Sequence, residues 1–193
     1  MKKLTLIIAI IASSISASFA QNICARAGVN LAKFISDANI FTTVKPGANA
    51  GVTVDLALGK DFFVRPGVMF SMKGAHYENR RYDNLNYLEL PVLMAYKERV
   101  GNHMDVDFQT GPYLAFGISG KINKKAENYA VPSFVNEYRK FDFGWNFGMG
   151  MDIYKLYIGI SYDCGLRQLR DHYYSQDVQK NGCLMINFGY YFL

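Results

Sequence analysis

The closing segment alternates without a break. Leu184, Ile186, Phe188, Tyr190 and Phe192 form a large apolar row, and Cys183, Met185, Asn187, Gly189 and Tyr191 form a smaller, more polar one. A period of two places the rows on opposite faces of a β-strand. Large apolar groups on one face, with glycine and amide on the other, suit a small transmembrane barrel whose bulky face meets lipid. That reading requires the pattern to recur.

It does, in seven earlier segments. The first sets Ala25, Ala27, Val29 and Leu31 against Arg26, Gly28 and Asn30. The second opposes Val52, Val54, Leu56 and Leu58 to Gly51, Thr53, Asp55 and Ala57, and the third Phe62, Val64, Pro66, Val68 and Phe70 to Arg65, Gly67, Met69 and Ser71. In the fourth, Leu88 to Tyr96 alternate with Glu89, Pro91, Leu93 and Ala95. The fifth opposes Met104, Val106, Phe108, Leu114 and Phe116 to Asp105, Asp107, Gln109 and Gly111. The sixth is the clearest: Phe141, Phe143, Trp145, Phe147, Met149, Met151 and Ile153 face away from Asp142, Gly144, Asn146, Gly148, Gly150 and Asp152. The seventh divides Leu156, Ile158, Ile160 and Tyr162 from Tyr157, Gly159, Ser161 and Asp163.

A soluble calyx would alternate too, with its apolar face inward. The glycine-rich polar face favours a crowded narrow lumen, and the connections decide for lipid outside. Those around residues 59–61, 99–102 and 154–155 are short, whereas 36–46, 74–86, 119–140 and 168–181 are long and polar. Outer-membrane barrels have short periplasmic turns and longer external loops. The expected fold is all-β, an eight-stranded antiparallel up-and-down transmembrane β-barrel with both termini periplasmic.

The amino end agrees. Met1-Lys2-Lys3, the apolar run Leu4–Ile11 and the small residues ending in Ser18-Phe19-Ala20 have the layout of a secretory signal peptide cut after Ala20. The run is too short and serine-rich for a spanning helix. Residues 21–193 then form the barrel, and cleavage lowers the formal charge of +5 by the two lysines lost. The expected destination is the outer membrane of a Gram-negative bacterium. Cys24, Cys164 and Cys183 are too few for a disulfide scaffold, and no spacing suits a metal. Cys164 and Cys183 fall on opposite rows, so no bridge between them is expected. No cofactor is implied.

Several motifs carry a family likeness: Tyr87-Leu88-Glu89-Leu90-Pro91-Val92-Leu93, Gly111-Pro112-Tyr113-Leu114-Ala115-Phe116-Gly117, Phe141-Asp142-Phe143-Gly144-Trp145-Asn146-Phe147-Gly148, Ser161-Tyr162-Asp163-Cys164-Gly165-Leu166 and the closing Phe188-Gly189-Tyr190-Tyr191-Phe192. In these the chain resembles the PorT-like outer-membrane β-barrel family of Bacteroidetes over essentially its whole mature length. The resemblance implies an outer-membrane barrel with no catalytic residues to carry over. A part in protein secretion would follow by analogy alone. Leu193 after Phe192 departs from the usual terminal aromatic.

Inward charges need partners or water. Parity puts Arg65 and Glu89 on neighbouring strands, and Arg26 and Asp55 likewise; Asp105, Asp107, Asp142 and Asp152 share the lumen. A salt-bridge network in a filled interior is expected over an ion path, since eight strands leave room only for side chains. Ser71, His76 and Glu78 are the one set a hydrolase could use, at a spacing that matches no motif. The alternative function is therefore a lipid- or glycan-modifying enzyme.

Basic residues concentrate in the long connections, as Arg80, Arg81, Lys121, Lys124, Lys125, Arg139, Lys140 and Arg170, amid Tyr77, Tyr82, Tyr129, Tyr138, Tyr173 and Tyr174. Binding tends to reside in loops on a rigid scaffold. The anions available at a cell surface are lipopolysaccharide phosphates and acidic glycans, not nucleic acid. The expected protein is thus a monomeric, non-enzymatic surface barrel. Its partners would be outer-membrane lipid and lipopolysaccharide, with an envelope protein or surface glycan as further candidates.

Overall fold

The computed structural model describes residues 22–36, 42–77, 81–124, 129–132, 138–170 and 179–192. The expected signal peptide lies outside them. The described residues form ten strands: β1 (Asn22–Ser36), β2 (Thr42–Thr43), β3 (Lys45–Ala57), β4 (Phe62–Tyr77), β5 (Arg81–Arg99), β6 (Met104–Lys124), β7 (Tyr129–Pro132), β8 (Phe141–Ile153), β9 (Leu156–Gly165) and β10 (Gln179–Tyr191). Eight are staves, each antiparallel to its neighbours, in the cyclic order β1-β3-β4-β5-β6-β8-β9-β10. The β1–β10 pairing, from Cys24↔Tyr191 to Ser36↔Gln179, closes the barrel. The short β2 and β7 add to β4 and β6 beyond the staves.

The alternation read from the sequence is the alternation of the walls. On β8, Asp142, Gly144, Asn146 and Asp152 are buried, while Phe143, Trp145, Phe147 and Met149 are exposed. The other staves follow suit, so charge and amide line the inside and large apolar side chains cover the outside. That is inverted relative to a soluble barrel, and only lipid makes such an exterior favourable. Even Trp145 meets its one polar need on the wall, donating its indole N–H to Thr110 Oγ1 at 2.8 Å.

Of the four prolines within staves, three interrupt the ladder through their missing N–H. Two pairs are skipped on each of three consecutive seams: residues 54–55 against 65–66, 67–68 against 90–91, and 92–93 against 111–112. Each gap holds one proline, Pro66, Pro91 or Pro112. The register on both sides is unchanged, so the interruptions cost hydrogen bonds and not alignment.

The external ends differ from expectation. The connection expected over 74–86 is mostly strand, because β4 runs to Tyr77 and β5 begins at Arg81. Likewise β6 continues to Lys124. The extension has its own apolar interior of Phe34, Ala75, Leu85, Tyr87, Ile122, Tyr138 and Leu169, all buried. Burial of these groups lets the barrel continue past the lipid-facing band. Gly74, at φ 131°, kinks β4 at this transition, and a side chain there would strike the Asp83 carbonyl.

Candidate functional site

The lumen is filled by two ionic clusters. The periplasmic one centres on Arg65 of β4, fully buried. Its Nε donates to Asp55 Oδ1 at 2.6 Å, and its Nη1 to Asp107 Oδ2 at 2.5 Å and Gln109 Oε1 at 2.6 Å. Lys97, at the end of β5, lies 2.8 Å from Asp55 and 2.7 Å from Asp152. The Tyr191 hydroxyl donates to Asp55 Oδ2 at 3.1 Å, tying in β10. The external cluster centres on Lys73 of β4, 2.6 Å from Glu89 and 2.7 Å from Asp163 on β9. Asn146 supports Asp163, donating from Nδ2 at 2.6 Å.

Residues placed on neighbouring strands by parity are not thereby paired. Arg65 does not pair with Glu89, and Arg26 does not pair with Asp55. The cause is register. Arg65 stands opposite Leu93 and Glu89 opposite Met69, four residues apart along the strands, or about 13 Å of axis. Arg26 stands opposite Gly51, while Asp55 stands opposite Asn22, again four residues away. Arg26 instead sits over the Tyr157 ring, 3.9 Å from its centre, a cation–π contact, and reaches Gln109 at 3.5 Å. Asp142 takes amide donors, Asn181 Nδ2 at 2.7 Å and the Phe143 N–H at 2.8 Å. Asp105 belongs to the rim, where it meets the largely exposed Arg99 at 3.2 Å. Lys73, Lys97 and Asp163 were the members missed. Extending the inward rows past Ser71 and Ala95 by one more alternation finds both lysines.

Between the clusters is a cavity of about 50 Å³, bounded by Arg26, Asn49, Thr53, Met69, Tyr113 and Asn187 among others. Such a volume accepts a few waters and no open channel. Above the external cluster the mouth is shut. Tyr138 turns inward, its hydroxyl donating to Asp83 Oδ2 and accepting from Arg170 Nη2 at 2.8 Å. Burial, and then the Asp83 carboxylate, hold its phenol well above the usual range. The Arg139 N–H donates to the Leu169 carbonyl at 2.9 Å, and the Leu169 N–H to that of Gln179 at 2.8 Å, so the last two connections close over the barrel together.

The anion-binding candidates divide accordingly. Arg80 and Lys125 lie outside the described residues. Arg81, Lys121 and Lys124 are on strands β5 and β6 and not in loops, with Arg81 opposite Lys124 and Asn84 opposite Lys121. Arg170 is turned into the cap, stacked on Tyr138 at 4.8 Å, and 3.5 Å from Asp83. Arg139 is half-buried and Lys140 exposed.

The possible hydrolase set is not assembled. Ser71 is buried in the lumen, where its Oγ accepts from Asn30 Nδ2 at 3.0 Å. His76, five residues on in the same strand, stands against the Tyr82 ring near the rim. Glu78 lies outside the described residues. Cys164 is on the outer row and Cys183 on the inner, and both are free thiols. Among the described residues no group of three or more His, Cys, Asp or Glu side chains is arranged for a metal.

A search of curated proteins finds no match. Solved structures are similar in fold. A major outer membrane protein of Thermus thermophilus is 15% identical with a TM-score of 0.52, covering 90% of this chain and 100% of that one. OprG of Pseudomonas aeruginosa is 11% identical with a TM-score of 0.52, covering 91% and 98%. Ail, the attachment invasion locus protein of Yersinia pestis, solved with the heparin analogue sucrose octasulfate, is 14% identical with a TM-score of 0.50, covering 89% and 99%. Residues 19–171 match the family described as outer membrane protein beta-barrel domain, and with the closed, lipid-facing barrel above, this chain belongs to that family.

Proposed function

We propose that this protein is a non-enzymatic surface barrel that acts through its external face on anionic partners: lipopolysaccharide, an acidic surface glycan, or an envelope protein. It is delivered by a signal peptide cleaved after Ala20, and its motifs fit a PorT-like barrel of Bacteroidetes. The observation that carries the reading is the sealed interior. Ionic clusters centred on Arg65 and Lys73 cross the lumen, and Tyr138 and Leu169 close its mouth. A site inside would be out of reach of any substrate, which leaves the rim, the loops and the outer wall. Ail, which shares the fold, was solved with a polysulfated ligand, so the architecture is compatible with anion binding.

The rival is a lipid- or glycan-modifying enzyme. Mass spectrometry of lipid A and surface glycans from deletion and wild-type cells separates the two. Unchanged lipids with altered adhesion or envelope leakiness support the binding role. A modification lost on deletion and restored by the wild-type gene overturns it, and failure of Ser71→Ala to restore it would place the chemistry at the lumen.

A further inference from the structure

Among the described residues, cations and acids are segregated across this barrel. Among the described residues, Asp55, Asp83, Glu89, Asp107, Asp142, Asp152 and Asp163 are buried inside, and Asp61, Glu98 and Asp105 lie at the periplasmic turns. No described acid lies on the outer wall near its external end. That part of the wall carries Lys33 of β1, Lys180 of β10, Arg167 just after β9 and Lys140 just before β8, on four adjacent staves.

These side chains form one ledge. Lys33 stands directly opposite Gly182, and Lys180 is two residues further out on the same strand. Strand spacing places their backbones about 8 Å apart. Gly182 leaves the ground between them low: a side chain there would meet the Tyr162 hydroxyl at 2.7 Å and Ile35 at 2.9 Å. The Tyr162 phenol, a hydrogen-bond donor, therefore lies across the notch beside the two lysines. On the next stave the Arg167 guanidinium sits 5.2 Å from the centre of the Phe141 ring, held over the aromatic band by a cation–π contact.

The height of the ledge identifies what it meets. From Tyr190, on the periplasmic aromatic row, to Lys180 is ten residues. At about 3.4 Å each and a tilt near 40°, that is roughly 26 Å of height, against an apolar band about 25 Å tall. Lys180 stands where the acyl chains end, and Lys33, opposite Gly182 and two residues nearer the membrane centre, reaches that level along its long stem.

We infer that Lys33, Arg167 and Lys180, with the Tyr162 hydroxyl, form a binding site for the phosphorylated head group of an outer-leaflet glycolipid of the lipid A type, seated on the wall of β1, β10, β9 and β8. Guanidinium and ammonium donors to phosphate make charge-assisted hydrogen bonds, and the outer wall below, with Tyr162 opposite Leu184, receives the acyl chains. The site deepens the binding role proposed above and rests on it.

The test uses the full mature barrel in nanodiscs, titrated with bisphosphorylated lipid A and with the same lipid after phosphatase treatment, read by native mass spectrometry. The wild type should prefer the phosphorylated lipid by about tenfold or more, from at least one charge-assisted contact. Lys33→Gln/Arg167→Gln/Lys180→Gln should reduce that preference to within about twofold. Trp145 fluorescence confirms that the variant is folded, and Lys60→Gln/Lys155→Gln at the periplasmic turns should keep the preference. Absence of preference in the wild type, or its survival in the triple variant, overturns the site. Equal displacement by millimolar inorganic phosphate also overturns it, since the ledge would then be a general anion surface. A change in the mass of the lipid during incubation would overturn the non-enzymatic reading itself, an outcome distinct from failure of the ledge.

Discussion

Arg65→Leu tests whether the lumen is held by charge pairing or merely filled. In the wild type the guanidinium serves Asp55, Asp107 and Gln109 at 2.5–2.6 Å, with both carboxylates fully buried. The two acids fare differently once it is gone. Asp55 keeps Lys97 at 2.8 Å and the Tyr191 hydroxyl at 3.1 Å. Asp107 keeps no cation among the described residues, and its Oδ1 has no hydrogen-bond partner even in the wild type. Removing one member of a buried pair costs about 3–5 kcal/mol, most of it the penalty of the stranded charge. Loss of Asp107 as well should recover much of this, because an apolar pair of similar volume is often neutral or better. Arg65→Leu/Asp107→Leu should therefore be more stable than Arg65→Leu, with a coupling of about 2–3 kcal/mol. Urea unfolding in lipid vesicles measures both, followed by the single tryptophan, Trp145, which lies on the lipid-facing wall. A loss below about 1 kcal/mol in the single variant, or additivity in the double, would refute the argument.

Depth on the wall should be readable from charge insertion. Phe147→Arg, at an exposed outer position, should cost about 2–4 kcal/mol if it lies at mid-bilayer, against about 0–1 for Phe192→Arg at the periplasmic edge, by the same unfolding assay. Intact mass under non-reducing conditions should match three free thiols; a mass two hydrogens lighter, with a peptide map joining Cys164 to Cys183, would mean that these two share a face. In a cysteine-free background, Lys140→Cys should react with a membrane-impermeant maleimide on intact cells and Lys60→Cys should not. The opposite pattern would invert the topology.

The fold was legible because a barrel wall is written with period two. The inward and outward rows on β8, from Phe141 to Ile153, could be listed from the sequence alone, and the same held for the other seven staves. Faces could be told apart because glycine and charge crowd one row. Strand ends were less visible. Residues 74–77 and 119–124 read as loop because Lys73, His76, Asn84, Asn86 and Lys121 are polar. Yet the apolar partners that keep them in strand, Phe34, Ala75, Leu85 and Ile122, come from several staves and converge only when the barrel closes. Arg170 was misread for the same reason. Its partners Asp83 and Tyr138 are distant in the chain, so a basic residue in a polar connection gave no sign of turning inward.

Pairing inside the lumen was the hardest part, and the reason is geometric. Parity says which side a residue faces but not its height. Height depends on register, which a one-residue change in a turn would shift for the whole stave. Arg65 and Glu89 share a face on adjacent staves, yet four residues of offset put about 13 Å between their backbones, and the Arg65 guanidinium is taken by Asp55 and Asp107. Lys73 stands four places from Glu89's opposite, Met69, and still reaches it, at 2.6 Å. The two residues share the interior, and Lys73's long flexible stem can run along the axis while keeping its ammonium charged. Arg65, held at both ends of its planar guanidinium by Asp55 and Asp107, has no such latitude. The lysine therefore spans levels and the arginine fixes one, which is why the external cluster reaches across to β9 while the periplasmic cluster is centred on β3, β4 and β6.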